Sequence, residues 1–179
     1  MNVTEKLAPS ALIARFREAL AGVGGHTHLV SDTTTAHECV TEIAQGRPAV
    51  IDDDPLLRAT TTGLHHAPDP WQAEIGITTA FAACAETGTL ALAFDSRHAR
   101  STSLVPPCHI AVLPAARLVS RYAELLEHMA DISPIPSGMQ LITGPSASAD
   151  IEMIHIQGMH GPTAVHVVLM VEASQDLPE

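Results

Sequence analysis

Alternating apolar and amphipathic segments predict an α/β fold, with a mainly parallel central sheet and helices on both faces. Three observations carry this reading. Runs such as Val165-His-Val-Val-Leu-Met-Val171 are apolar almost throughout, as a strand buried on both faces requires. Other segments carry apolar residues at helical spacing, such as Leu12, Ile13, Phe16 and Leu20. The two kinds of segment alternate, which favours parallel strands joined by crossovers.

Taken in order, Ala11 to Ala21 is expected to be helical, opened by Pro9-Ser10 and stopped by Gly22-Val-Gly-Gly25. His28-Leu29-Val30 reads as a short strand. Thr33 to Ala44 reads as a second helix, with Ser31 and Asp32 as caps and Gly46 as terminator. Pro48-Ala-Val-Ile51 is a buried strand leading into the acidic surface turn Asp52-Asp-Asp54. The stretch from Asp53 to Trp71 is irregular, with one helical turn near Pro55–Ala59. Ile77 to Ala85 is rich in small residues and reads as a helix stopped by Gly88. Strands are expected at Thr89–Phe94, His109–Leu113, Gln140–Thr143 and Ala164–Val171. Helices are expected from Pro114 to about Met129, with Leu118, Tyr122 and Leu125 on one stripe, and from Ala149 to Ile156. Thr89–Phe94 and His109–Leu113 are expected in one sheet. Nothing marks a domain boundary, so 1–179 is read as one domain.

Composition excludes several classes of function. The 179 residues hold 46% apolar but only 3% aromatic residues, so the core is built from Ala, Val, Leu and Ile. The net charge is −11 and Lys6 is the sole lysine. A broad basic footprint for nucleic acid is missing, and an anionic membrane surface would repel the chain. No run of about 20 apolar residues predicts a membrane-spanning helix. The N-terminus lacks the charged-then-apolar pattern of a secretory signal, and a cytoplasmic location is expected. Cys39, Cys84 and Cys108 are scattered and odd in number. They form neither a disulfide framework nor a four-thiolate set for an iron–sulfur cluster.

Open α/β sheets bind ligands beyond the carboxyl ends of their strands. Three such places carry unusual chemistry: Asp95 to His109, Gly144-Pro-Ser-Ala-Ser148, and the return loop His160-Gly161-Pro162. In the second, Ser146 or Ser148 could cap a following helix whose first N–H groups hold a carboxylate or phosphate; simple capping accounts for the same residues. The segment lacks the order of a Walker loop or a dinucleotide fingerprint. Glu86 beside Gly88 could be an acid, base or nucleophile, or a surface residue beside a helix stop. Arg97 and Arg100 could fork onto a carboxylate or phosphate, or simply pair with acids. Eleven histidines raise the question of a metal, but their spacing fits no motif, and none is assigned. His166 reads as a core histidine. His109 and His160 are the better candidates for a general base.

Three blocks together resemble a known family: Ala85-Glu-Thr-Gly-Thr-Leu90, Arg100-Ser-Thr-Ser-Leu-Val-Pro-Pro-Cys-His109, and Thr143-Gly-Pro-Ser-Ala-Ser-Ala-Asp-Ile-Glu152 with Gly158-Met-His-Gly-Pro162. In order and spacing they are similar to the lactate-utilisation protein C family of LUD domains, over about residues 76–170. The resemblance implies the NagB/RpiA/CoA-transferase-like fold. It implies a part in oxidising L-lactate to pyruvate beside iron–sulfur partner proteins, with no cluster in this chain. It carries over Glu86, His109 and His160 as catalytic candidates. Gly88, Arg100, Ser103, Gly144, Pro145, Ser146, Asp150, Glu152 and Gly161 carry over as candidates for binding a small carboxylate or other ligand, with Gly158 and Pro162 beside them. Ala147 and Thr163 stand where the family usually carries basic residues. The other readings are a stand-alone enzyme of CoA-transferase or cyclo-ligase type, acting on an acyl or phosphorylated molecule, and a structural assembly protein. A single cleft holding Glu86, Arg100, His109, Ser146 and His160 is expected.

Overall fold

The computed structural model describes residues 7–149, 155–157 and 161–171. Helix α1 (Pro9–Gly22) is followed by β1 (His26–Val30), α2 (Thr33–Ala44), β2 (Ala49–Ile51) and α3 (Pro55–Thr60). Then come β3 (Ile75–Thr79), β4 (Ala82–Cys84), β5 (Thr89–Phe94), α4 (Arg100–Leu104) and β6 (Cys108–Pro114). A 3₁₀ turn (Ala115–Arg117) leads to β7 (Leu118–Val119), α5 (Tyr122–Ala130), β8 (Gly138–Ile142), β9 (Ala147–Ala149), β10 (His155–Gln157) and β11 (Ala164–Met170).

The central sheet has the order β1-β11-β6-β3-β2, and every pair in it is parallel. Alternate residues of its strands face opposite layers, as the period of two dictates. Ile110 and Val112 of β6, with Ile75 and Ile77 of β3, pack on Ala36, Val40 and Ala44 of α2 and Leu57 of α3. Ala111 and Leu113 turn the other way, onto Ile13, Phe16 and Leu20 of α1 and onto Leu90 and Leu92 of β5. Helices therefore cover both faces, as the apolar patterning required.

A second sheet, in the order β7-β4-β5-β8, lies beyond the α1 side of the first. Its β4–β5 and β5–β8 pairs are antiparallel, and β4–β7 is parallel. Thr89–Phe94 and His109–Leu113 thus lie in different sheets, which corrects the expectation of one sheet. A continuous apolar run reports burial on both faces but not the identity of the sheet. The strand β5 meets that description because Leu90 and Leu92 face the central layers, while Ala91 packs with Val119 and Leu125 of α5.

Three helix expectations are also corrected. Ile77–Ala85 forms β3 and β4, because tertiary burial of Ile77, Ala82, Ala83 and Cys84 overrides the helical preference of alanine. The stretch after Pro114 makes a 3₁₀ turn and a strand before α5 begins at Tyr122, so Leu118 lies on a strand beside Ala83. Ala149 and His155 pair across the antiparallel β9–β10 hairpin, so the helix expected between Ala149 and Ile156 has strand at both ends.

Candidate functional site

The family motifs converge in part. Gly88 takes a positive φ of 68° in the turn between β4 and β5, and it sits against the backbone of Leu20 at the end of α1. Gly144, with φ 75°, packs on Val23 just beyond the same helix. A side chain at either position would be strained in conformation and would overlap α1 or its C-terminal loop. A chain of hydroxyls joins the two loops: Thr87 Oγ1 lies 2.6 Å from Thr89 Oγ1, which lies 2.8 Å from Thr143 Oγ1. Pro145 packs towards Gly24. The Ser146 N–H donates to the Pro162 carbonyl at 2.8 Å, and Gly161 leaves room for the Ser146 side chain. Gly88, Gly144, Pro145, Ser146, Gly161 and Pro162 thus form one loop cluster around the end of α1.

Glu86 borders that cluster with its carboxylate engaged. Oε2 accepts the Tyr122 N–H at 2.9 Å, at the start of α5, and Oε1 lies 4.0 Å from the Arg15 guanidinium. Arg100 does not join it. Its guanidinium lies 5.6 Å from the centre of the Phe94 ring and beside Gly138, at the far end of β5 from Gly88. The six residues of β5 separate the two places by roughly 16 Å at a strand's rise. Ser103 is buried in α4, and its hydroxyl donates to the Arg100 carbonyl at 3.2 Å. Ser148 lies in β9, and among the described residues no helix begins beside it to supply the expected N–H dipoles. Asp150, Glu152, Gly158 and His160 lie outside the described residues.

His109 lies within β6 and is fully buried, not at a strand edge facing solvent. Its Nε2 meets Thr78 Oγ1 at 2.9 Å, and its Nδ1 has no hydrogen-bond partner among the described residues. Burial lowers its pKa to about 4, so the ring is neutral at pH 7. His166 is half-buried and touches His28 across the β1–β11 pair, with Nδ1 3.1 Å from His28 Nε2.

A second group of polar residues stands at the carboxyl ends of β2 and β3. Asp52 follows β2 directly, is buried, and accepts the Ala99 N–H at 3.3 Å. Burial pushes its pKa up to about 6, against the pull of the Thr102 hydroxyl and the Ala99 N–H. Asp54 caps α3, its Oδ1 accepting the Leu56 N–H at 2.8 Å and its Oδ2 the Thr79 hydroxyl at 3.3 Å. His98 lies between two carboxylates. Its Nδ1 is 2.8 Å from Asp95 Oδ1, and its Nε2 is 3.4 Å from Asp54 Oδ2. Asp95 also accepts the N–H groups of Arg97 and His98. The Arg97 N–H, followed by the His98 ring, holds its pKa down to about 2. A cavity of about 360 Å³ opens here between the sheets, bordered by Asp54, Thr79, Phe81, Asp95, His98 and Arg117.

The sequence predicts a surface turn at Asp52-Asp-Asp54, whereas Asp52 is buried against the start of α4. The signal that could have exposed this group is three acids placed directly after a buried strand in a parallel sheet, where ligands tend to bind. Among the described residues no group of three or more His, Cys, Asp or Glu side chains is placed to hold a metal ion. Cys39, Cys84 and Cys108 are free thiols.

The fold is that of a two-sheet α/β protein with a parallel core. A family model for the LUD domain matches residues 71–170, more than half of the chain, and the chain belongs to that family. It is similar to Lactate utilization protein C of Exiguobacterium sp., 42% identical over 103 residues that make up 55% of this chain and 45% of that protein. It is similar to the protein of the same name from Bacillus subtilis, 38% identical over 103 residues, 55% of this chain and 43% of that one. The match thus spans less than half the length of these relatives. Among solved structures, a DUF162 family protein from Deinococcus radiodurans aligns with TM-score 0.72 and 20% identity, over 93% of this chain and 99% of that one, which shows a shared fold.

Proposed function

We propose that this protein works in lactate utilisation, as a component that acts with iron–sulfur partner proteins in oxidising L-lactate and contributes a binding place for a small carboxylate or cofactor. The redox centres then belong to the partners. One observation carries the reading: the stretch matched by the family model, residues 71–170, builds the loop cluster and supplies Thr79, Asp95, His98 and Arg117 to the cavity. The relatives named for lactate utilisation support the biological setting.

The test is to purify the chain from cells with the products of its neighbouring genes. Iron and acid-labile sulfide are assayed in the partners, and dye reduction driven by L-lactate is measured with and without this chain. The reading expects co-purifying iron–sulfur proteins and a reduction rate that depends on the chain. Turnover of an acyl or phosphorylated substrate by the isolated chain, with no such partners, would replace it with the transferase-like reading.

A further inference from the structure

We propose that the cavity between the sheets binds a small hydroxycarboxylate, with the carboxylate on Arg117 and the hydroxyl on Nε2 of His98. The inference deepens the small-carboxylate reading above and rests on it. It assigns that ligand to residues that the family motifs did not indicate.

The His98 ring is held in one orientation. Its Nδ1–H donates to Asp95 at 2.8 Å, and Asp95 is itself fixed by the N–H groups of Arg97 and His98. A carboxylate on Nδ1 sets the tautomer and makes Nε2 the working nitrogen. In that tautomer Nε2 is an acceptor, so its 3.4 Å approach to the Asp54 carboxylate, a second acceptor, is not a hydrogen bond and leaves the nitrogen without a donor. A ligand hydroxyl could therefore reach Nε2 without breaking a strong bond. The imidazole is only 16% exposed, so such a contact would be sheltered from water.

The cavity lining carries two aspartates and one arginine, and the arginine is the group left open to an anion. Asp95 is compensated by two N–H groups, the imidazole and the Arg97 guanidinium 3.6 Å away. Asp54 is occupied on both oxygens. Arg117 is different. It donates one N–H to the Ala80 carbonyl at 2.8 Å and has no carboxylate within ion-pair distance among the described residues. Arg15, Arg58, Arg97 and Arg121 each have one; Arg17, Arg47 and Arg100 lack one as well among the described residues, but none of them lines this cavity. The open capacity of the cavity is thus a guanidinium fork, which suits a carboxylate.

Phe81 and Ala93 supply an apolar wall from the second sheet, suited to a short carbon chain. Asp54 and Thr79 come from the carboxyl ends of the parallel strands, the expected place for a ligand. The volume of about 360 Å³ lies within the range of small-molecule sites and accommodates a three-carbon acid.

The experiment uses the full chain, with ligand binding followed by calorimetry and by the imidazole NMR signals of His98. The probes are L-lactate, propionate, which lacks the hydroxyl, and propane-1,2-diol, which lacks the carboxylate. L-lactate is expected to bind saturably and shift the His98 signals, with each of the other two about tenfold weaker. Arg117→Gln should weaken lactate about tenfold, and His98→Gln should bring lactate and propionate to equal affinity. The comparison of ligands on the unaltered chain holds even if a variant fails to fold. No saturable binding of lactate, equal binding of lactate and propionate by the unaltered chain, or binding untouched by both substitutions overturns the proposal. Lactate-driven dye reduction by the assembled partners separates the two readings. If it depends on the chain while the chain alone ignores lactate, the role in lactate oxidation stands and this cavity assignment falls.

Discussion

The carbonyl oxygen of Thr102 in α4 occupies the place where a Cβ at Gly76 of β3 would stand. Helix α4 thus lies directly on the backbone of a central strand, with its start held by Asp52 through the Ala99 N–H. Gly76→Ala must move α4 or distort β3. It is expected to destabilise the fold by about 3 kcal/mol, the upper part of the usual range for overpacking. Urea unfolding measures this, and an unchanged midpoint would contradict the packing.

His109 gives the fold an acid-sensitive component. Its folded pKa of about 4 lies below the ordinary 6.5, so the unfolded chain binds the extra proton first. The associated stability is complete above about pH 6.5 and is lost as the pH falls towards 4, to a limit of about 3 kcal/mol. His109→Gln keeps a partner for Thr78 and removes the titration. Its unfolding free energy should vary less between pH 7 and pH 4 than that of the unaltered protein.

Asp52 acts with the opposite sign. Its folded pKa of about 6 lies above the ordinary 3.8, so the folded state holds the proton more tightly. The associated stability is complete below about pH 3.8 and is lost as the pH rises through 6. Asp52→Asn keeps an acceptor for Ala99 without the charge. At pH 7 this variant is expected to be more stable by up to about 3 kcal/mol, and thermal unfolding at pH 5 and pH 7 should show the gain growing with pH.

Glu86 anchors a helix start from a distant turn. Its exposed contact with Arg15 contributes little, but the Tyr122 N–H would lose its acceptor. Glu86→Ala should destabilise the protein by about 1 kcal/mol, the usual effect of losing a cap. Glu86→Gln should restore most of this. If Glu86→Gln keeps its stability but abolishes lactate-driven dye reduction in the assembled system, the carboxylate has a chemical role besides the structural one.

Arg100 lies at the far end of β5 from the loop cluster and over an aromatic face. Arg100→Ala is expected to lower stability by less than about 1 kcal/mol, the scale of an exposed cation–π contact. Lactate affinity should stay unchanged, and a tenfold loss would return Arg100 to the binding site.

Much of the architecture was legible. Asp32 caps α2 through the Thr35 N–H, and the chain leaves that helix through Gln45 and Gly46, as the cap and stop residues indicated. The spacing of Ile13, Phe16 and Leu20 marked the buried face of α1. The alanine-rich β3–β4 segment misled because small residues suit either state, and burial decides between them. The second sheet was hidden because Leu90 and Leu92 signal burial equally well in either layer. The turns at Gly88 and Gly144 were legible, but their shared approach to α1 is a tertiary contact. The cavity was not legible, since His98 meets Asp54 across 44 positions of sequence, a contact that only the tertiary fold creates.

The place of β11 bears on how the protein is made. It lies between β1 and β6, at the middle of the parallel sheet, and pairs His26 with His166. During synthesis neither neighbour can be satisfied until Ala164–Met170 has left the ribosome. Until then β1 and β6 present unpaired edges, and such edges invite pairing with other chains. The central sheet closes only when β11 inserts between β1 and β6, so it cannot be completed before that segment is made.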